Sequence, residues 1–338
     1  MSTMTNDATR AGSVPGGARL VSGLGFAVAS AFSFGLSGTL AKGLVEAGWS
    51  SGAAVTVRVA LATLVLAGPA IVALHGRWHL LRRNLALVTG YGLAAVAGCQ
   101  LAYFYAVEHL DVGVALLIEY TAPVAVLAWM WWRHGHRPGR LTLGGGVLAL
   151  VGLVLVLDLL SGADLSLVGV GWALLAMLGA AVYFVVSASE DNGLPPIVLA
   201  AGGLALGTLA LSLAGLVGLV PMAASTASVS YDGARVPFWL PLVGLGVVTA
   251  AVAYTTGIAA GRRLGSRLAS FVALLEVVAA LLFAWLLLDE LPQAVQFVGG
   301  ALILLGVVGV KLGERGTSVG AEGVVPPVRG PVSGRPGA

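Results

Sequence analysis

The 338-residue sequence is poor in charge, in cysteine and in histidine. Asp, Glu, Lys and Arg make up 10% of the chain, where soluble domains carry roughly 25%. So few charges cannot cover the surface of a water-soluble fold, which sets aside soluble enzymes, nucleic-acid binders and disordered chains as classes. The single cysteine, Cys99, excludes an intrachain disulfide framework and any multi-cysteine metal site. A formal net charge of +3 is too small to attract nucleic acid. HExxH, GxSxG and Walker signatures are missing, so metalloprotease, serine-hydrolase and ATP-driven chemistries have no footing, and no cofactor or metal is expected.

What the chain has is apolar length. Hydrophobic residues form 58% of it and the mean hydropathy is +0.97, which leaves the lipid bilayer as solvent. Ten apolar runs fall near residues 20–40, 53–74, 84–106, 112–132, 141–160, 168–188, 196–220, 238–260, 268–288 and 293–312. Each is about the 20 residues that cross a hydrocarbon core as helix. Residues 1–18 and 314–338 lack apolar periodicity and read as disordered tails.

The runs repeat. Sliding residues 137–153 by 154 positions superposes Pro138 on Pro292, Gly145 and Gly146 on Gly299 and Gly300, and Gly152 on Gly306. A slide of 157 places Glu119 on Glu276, so the two are expected at the same place in two copies. Helices 1–5 (19–160) and 6–10 (161–313) then form two repeats. Because five is odd, consecutive copies are inverted. The expected fold class is all-α integral membrane, with ten transmembrane helices in two inverted five-helix repeats.

With a cytoplasmic N-terminus, the inner loops carry Arg77, Arg82, Arg83, Arg133, Arg137, Arg140, Arg262, Arg263 and Arg267, against Lys42 and Arg235 outside. That satisfies the positive-inside rule. The inner loop SEDNGLPP, with Glu190 and Asp191 and no basic residue, is the exception.

Ionisable groups within spans are functional candidates by default. Glu119 and Glu276 lie roughly 10 and 12 Å into helices 4 and 9 from opposite faces. Such a pair flanking a cavity can hold a substrate ammonium or take up a proton; the structural alternative is a hydrogen-bonded Glu tying helices together. Arg58 is expected near the outer surface as an anchor partnered by Glu46 or Asp111, the alternative being that it and Lys42 attract a carboxylate at the outer mouth. Ser30, Ser33 and Ser37 share a face of helix 1; Gln100 and Tyr103 stand one turn apart on helix 3; Tyr120 follows Glu119; helix 8 holds Tyr254, Thr255 and Thr256. These suit an amphipathic pocket or simple helix adhesion, as do the spacings of Gly203 with Gly207 and Gly257 with Gly261. Trp129, Trp131 and Trp132 read as interfacial belt residues.

SGTLAKGL leading into VTVRVALATLVL, LIEYTAPVAV in helix 4, and LLEVVAALLFAWLLLDELPQAVQFVGGALILLGVV across helices 9 and 10 resemble the EamA branch of the drug/metabolite transporter superfamily. The first-half pieces most resemble threonine/homoserine exporters of bacterial inner membranes. The resemblance implies a 5+5 inverted fold with both termini cytoplasmic, alternating access around a central cavity, and helices 3, 4, 8 and 9 among its walls. Family members often have Glu-Pro in helix 9; here Val277 follows Glu276, so a proline break is not expected there, while the first half keeps Pro123.

The expected function is a secondary transporter exporting amino acids or related small metabolites from the bacterial cytoplasmic membrane, with protons as coupling partner through Glu119, Glu276 or both. The expected partners are a small-molecule substrate and the bilayer. Drugs, sugars or nucleotide precursors are the alternative cargo. The competing class is an intramembrane lipid-modifying enzyme with Glu119 as base and His109 as its nearest histidine.

Overall fold

The computed structural model describes residues 15–107, 109, 115, 118–134, 139–156, 166–289 and 293–321. Asp111, Arg137 and the expected tails outside 15–321 lie beyond the described residues.

Helix α1 spans Pro15–Glu46 and α2 Ser51–Leu74; a short helix, Trp78–Arg83, lies in the loop that follows. The third pass, α3, runs from Leu85–Gly90 through a π-helical stretch, Tyr91–Gly98, into Cys99–Val107. Helix α4 spans Ala122–His134, α5 Arg140–Val156, α6 Leu167–Ala188 and α7 Pro196–Leu216. A hairpin of β1 (Val229–Tyr231) and β2 (Ala234–Val236) precedes the eighth pass. Helix α8 comprises Trp239–Val243, a second π stretch, Gly244–Val252, and residues 253–264. Gly265, at φ 78°, turns the chain, and α9 follows with residues 266–273 and Leu275–Leu288. Helix α10 spans Ala294–Ala321. Six of these passes are long and apolar enough to cross a membrane, and 140–155, 275–287 and 297–310 form shorter apolar helices. The chain is an all-α membrane protein.

Two expectations change. The tail was placed from residue 314, but α10 continues to Ala321, and α1 begins at Pro15 rather than after residue 18; helical hydrogen bonding propagates past the apolar stripe that defines a span. The hairpin was missed although its signal, Asp232-Gly233, is in the sequence. Both residues take positive φ, 44° and 76°, as a two-residue hairpin turn requires. Tyr231 fills the space left by the missing side chain of Gly43 and donates to the Leu40 carbonyl (2.9 Å). Burial, with Glu46 adding to it, pushes the Tyr231 phenol above its usual range, so the hydroxyl keeps the proton it donates. Trp49 Nε1 donates to the Ser225 carbonyl (2.7 Å), and Ser50, the N-cap of α2, donates to the Pro221 carbonyl (2.8 Å). These bonds pin the 217–236 segment over the ends of α1 and α2.

The halves pack as a pseudo-two-fold pair. Helix α5 lies on α10 and α2 on α7; α1 packs on α8 as α6 packs on α3, and α2 packs on the π stretch of α8 as α7 packs on that of α3. The α5–α10 crossing shows the exchange residue by residue. A Cβ on Gly145 would strike the backbone at Gly306 and Val310, and one on Gly152 the backbone at Gly299 and Ile303. Of the glycines that superpose by the 154-residue slide, Gly145, Gly152, Gly299 and Gly306 meet crosswise, while Gly146 faces Phe271; at the crossing the lack of side chains lets the backbones touch in the absence of a hydrophobic drive between lipid-embedded helices. Likewise Gly92 of α3 rests on Leu206 of α7, and Gly246 of α8 on Leu61 of α2.

Candidate functional site

Two helices break beside a glutamate. In the fourth pass Thr121 N bonds Ile118 O (3.1 Å) and Val124 N bonds Thr121 O (2.8 Å). Pro123, which has no N–H to give, accounts for this locally. In α9 the same three-residue bonds recur from Leu274 N to Phe271 O (3.2 Å) and from Val277 N to Leu274 O (3.1 Å). The break therefore forms in α9 without a proline, and it lies 153 residues after its counterpart, Thr121 to Leu274. In that register Glu276 stands opposite Pro123, and Glu119 opposite Val272. The two glutamates are not equivalent positions of the repeat, as the slide of 157 had them, but are offset by about one turn.

Both carboxyls nevertheless reach one chamber. A central cavity of about 130 Å³ is walled by Ser30 and Phe34 (α1), Cys99 and Gln100 (α3), Glu119 and Tyr120, Tyr183 and Phe184 (α6), Tyr254 and Gly257 (α8), and Ser270 and Glu276 (α9). A second, of about 240 Å³, shares Phe34, Gln100, Glu119, Tyr120 and Glu276 and adds Ser37, Arg58 and Tyr103. A third, of about 290 Å³, shares Val45, Ser51 and Val55 with the second and reaches Trp49 and Pro221 beside the hairpin segment. The three form a series from the centre to the hairpin face.

The Cys99 sulfur lies 3.5 Å from Glu119 Oε1, and Tyr120 and Glu276 share the walls of both cavities. Gln100 and Tyr254 both line the first cavity. Ser30 Oγ donates to the Ala253 carbonyl (2.8 Å), joining α1 to the end of the second π stretch. Phe34, Tyr183 and Tyr254 form an aromatic cluster with ring centroids 5.1 to 6.4 Å apart, so the chamber joins an apolar wall to an acidic one. Among the described residues no three His, Cys, Asp or Glu side chains gather to hold a metal.

Toward the opposite face the chamber is shut. Gly23 of α1 packs on Arg263 and Leu264, Gly261 of α8 packs on Ser187 and Ala188 of α6, and the Tyr183 hydroxyl sits over Gly257. Arg19 pairs with Glu190 and donates to the Arg262 carbonyl (2.8 Å), while Arg262 donates to the Leu194 carbonyl. Asn84 Nδ2 donates to the Asn192 carbonyl (2.9 Å). The acidic exception among the basic loops, Glu190, is thus the partner of Arg19.

Of the expected site residues, the structure brings Glu119, Glu276, Tyr120, Gln100, Tyr103, Ser37 and Tyr254 to the cavity walls. Ser33 and Lys42 are not among the wall residues; Lys42 is exposed near the end of α1. Thr255 and Thr256 donate to carbonyls of their own helix, Ala251 (2.6 Å) and Val252 (2.7 Å). Arg58 does not snorkel to a surface anchor. It is 6% exposed, its Nη2 donates to the Thr249 carbonyl (2.6 Å), and its guanidinium lies 5.8 Å from the Phe34 ring centroid. Arg58 thereby ties α2 to the backbone of the second π stretch. His109 is exposed, its Nδ1 on the Tyr105 carbonyl (2.9 Å), and is absent from the walls. Phe34, Cys99, Tyr183 and Phe184 were not singled out from sequence. Tyr183-Phe184, an aromatic pair in the middle of an apolar span, was the available signal, since a buried tyrosine needs a place for its hydroxyl.

Residues 21–158 and 167–312 each match the EamA-like transporter family. An uncharacterized transporter of Archaeoglobus fulgidus is 30% identical over 206 residues, 61% of this chain and 69% of that protein. A protein of known crystal structure superposes with a TM-score of 0.70 at 19% identity, covering 88% of this chain and 99% of the other, which is a likeness of fold.

Proposed function

Since this chain belongs to the EamA-like transporter family, and so is a multi-pass membrane transporter, we propose that it is a secondary carrier exporting amino acids or related small metabolites by alternating access. The observation that carries this reading is that two carboxyls from different halves line one chamber between those halves. A cargo ammonium binds at Glu119 or Glu276, its apolar part against Phe34, Tyr183 and Tyr254, and the second carboxyl is free to exchange a proton. The likeness of the first half to threonine/homoserine exporters supports amino acids as cargo. In the proposed orientation both termini are in the bacterial cytoplasm, so the arginine-rich face is inner and the hairpin face outer.

The packing supports a mechanism. Helix α6 closes on α8, whereas its symmetry mate, the space between α1 and α3, is where the second cavity lies. Exchanging these two arrangements closes the outer gap and opens the inner one, with the 5+5 pseudo-symmetry making the end states alike in backbone.

The test is counterflow and pH-jump transport in proteoliposomes with threonine, homoserine and phenylalanine. Wild-type efflux is expected to rise with an inward proton gradient, and Glu119→Gln and Glu276→Gln to lose at least about tenfold in rate, one of them also losing the response to pH. Wild-type rates and pH response in both variants would overturn the assignment.

A further inference from the structure

Arg58 is the one strongly buried guanidinium in the cavity walls, and its donors are mostly unspent. Of the five N–H donors of an arginine, the structure matches Nη2 to the Thr249 carbonyl, while Nε, fully buried, has no acceptor. No carboxylate among the described residues pairs with it directly. Leaving a guanidinium out of water without a counter-charge is costly, and a side chain serving only as adhesive to one carbonyl has no need of that charge. The residue borders the second cavity together with Glu119 and Glu276. A positive group and two acidic groups therefore face one space of about 240 Å³.

We propose that Arg58 is a carboxylate-binding residue and that the cargo is a zwitterion: its carboxylate docks on the guanidinium fork and its ammonium turns to Glu119 or Glu276. Planar bidentate pairing suits this role better than a point charge does. The proposal rests on the carrier reading above and narrows it. Free α-amino acids satisfy both poles; amines and amino-acid esters satisfy one.

The experiment is a binding series on purified full-length protein by thermal shift and by competition in proteoliposomes. The probes are threonine and phenylalanine, their methyl esters, and their decarboxylated amines. Wild-type protein is expected to prefer the free acid to its ester and amine by about tenfold or more, the span of a charged hydrogen bond. Arg58→Gln should bring the acid down to the level of the ester while leaving ester and amine unchanged. Arg58→Lys, which keeps a donor for Thr249, should fold as wild type and retain only part of the preference. Equal wild-type affinity for acid, ester and amine overturns the proposal without needing any variant. So does an Arg58→Gln protein that loses all three probes in proportion, the pattern of a purely structural arginine. Should amines bind as well as acids and Glu276→Gln abolish that binding, the chamber reading stands and the Arg58 assignment falls. Should none of the probes bind wild-type protein, both fall.

Discussion

At Gly257 a hydrogen atom decides whether α6 and α8 can meet, because the Tyr183 hydroxyl occupies the space a methyl would fill. Gly257→Ala is expected to hold α6 and α8 apart and to reduce transport about tenfold or more, by analogy with overpacked cores that lose about 1–3 kcal/mol. Adding Tyr183→Phe removes the colliding oxygen and should recover most of the activity; a double variant no better than the single one would show that the contact does not govern the site. Single residues were only partly legible beforehand. Glu119 and Glu276 stood out because charge is scarce in an apolar span, and both line the chamber. Their offset did not, since it depends on where each helix loses a hydrogen bond, which in α9 no proline announces. Arg58 was misplaced for a related reason: counting turns from the helix end gives depth, but not which neighbour covers the side chain.

Among the elements, α5 and α10 are held backbone to backbone by glycines. Gly152→Leu is expected to lower stability by about 1–3 kcal/mol, read as an earlier detergent melting transition. Gly144→Leu on the same helix, where nothing lies within 4 Å of the added atom, should melt as wild type. The repeated glycines in the sequence pointed to the internal repeat through their common slide, but not to this crossing, because a slide says which positions correspond and not which of them touch. The π stretches at Tyr91–Gly98 and Gly244–Val252 had no such sign, because an extra residue per turn changes neither composition nor apolar length. The hairpin carried a local sign in Asp-Gly, masked by the expectation that every link between spans would be plain loop.

For the molecule as a whole, ten passes and their inversion followed from apolar run length and from an odd repeat, two properties that lipid enforces. Which face stands open did not, because two end states of one sequence share the same pattern. The closure by Arg19, Glu190 and Arg262 on the arginine-rich face is half-exposed, and such pairs contribute only about 0.2–1 kcal/mol, a strength suited to the repeated opening that the proposed mechanism requires. Arg19→Cys with Glu190→Cys, bridged by a bifunctional thiol reagent that carries a reducible spacer long enough to replace the two side chains, is expected to stop transport until it is reduced; unaltered transport in the cross-linked protein would show that this face does not open.

The mirrored frame carries an unmirrored charge. Leu61 and Leu206 meet equivalent glycines of α8 and α3, and Thr63 faces Thr208 across the α2–α7 contact (3.3 Å). The same spacing sets Arg58 opposite Gly203, over which the Tyr91 ring lies. When the halves trade shapes, the backbone is restored but the guanidinium stays on its own side. With cargo docked at Arg58 as proposed, the carrier holds it with unequal strength in its two orientations, and by detailed balance the empty and the loaded protein then differ in which orientation they favour. Half-saturation measured from the two faces of a membrane should differ accordingly, an asymmetry written by one side chain onto an otherwise reversible machine.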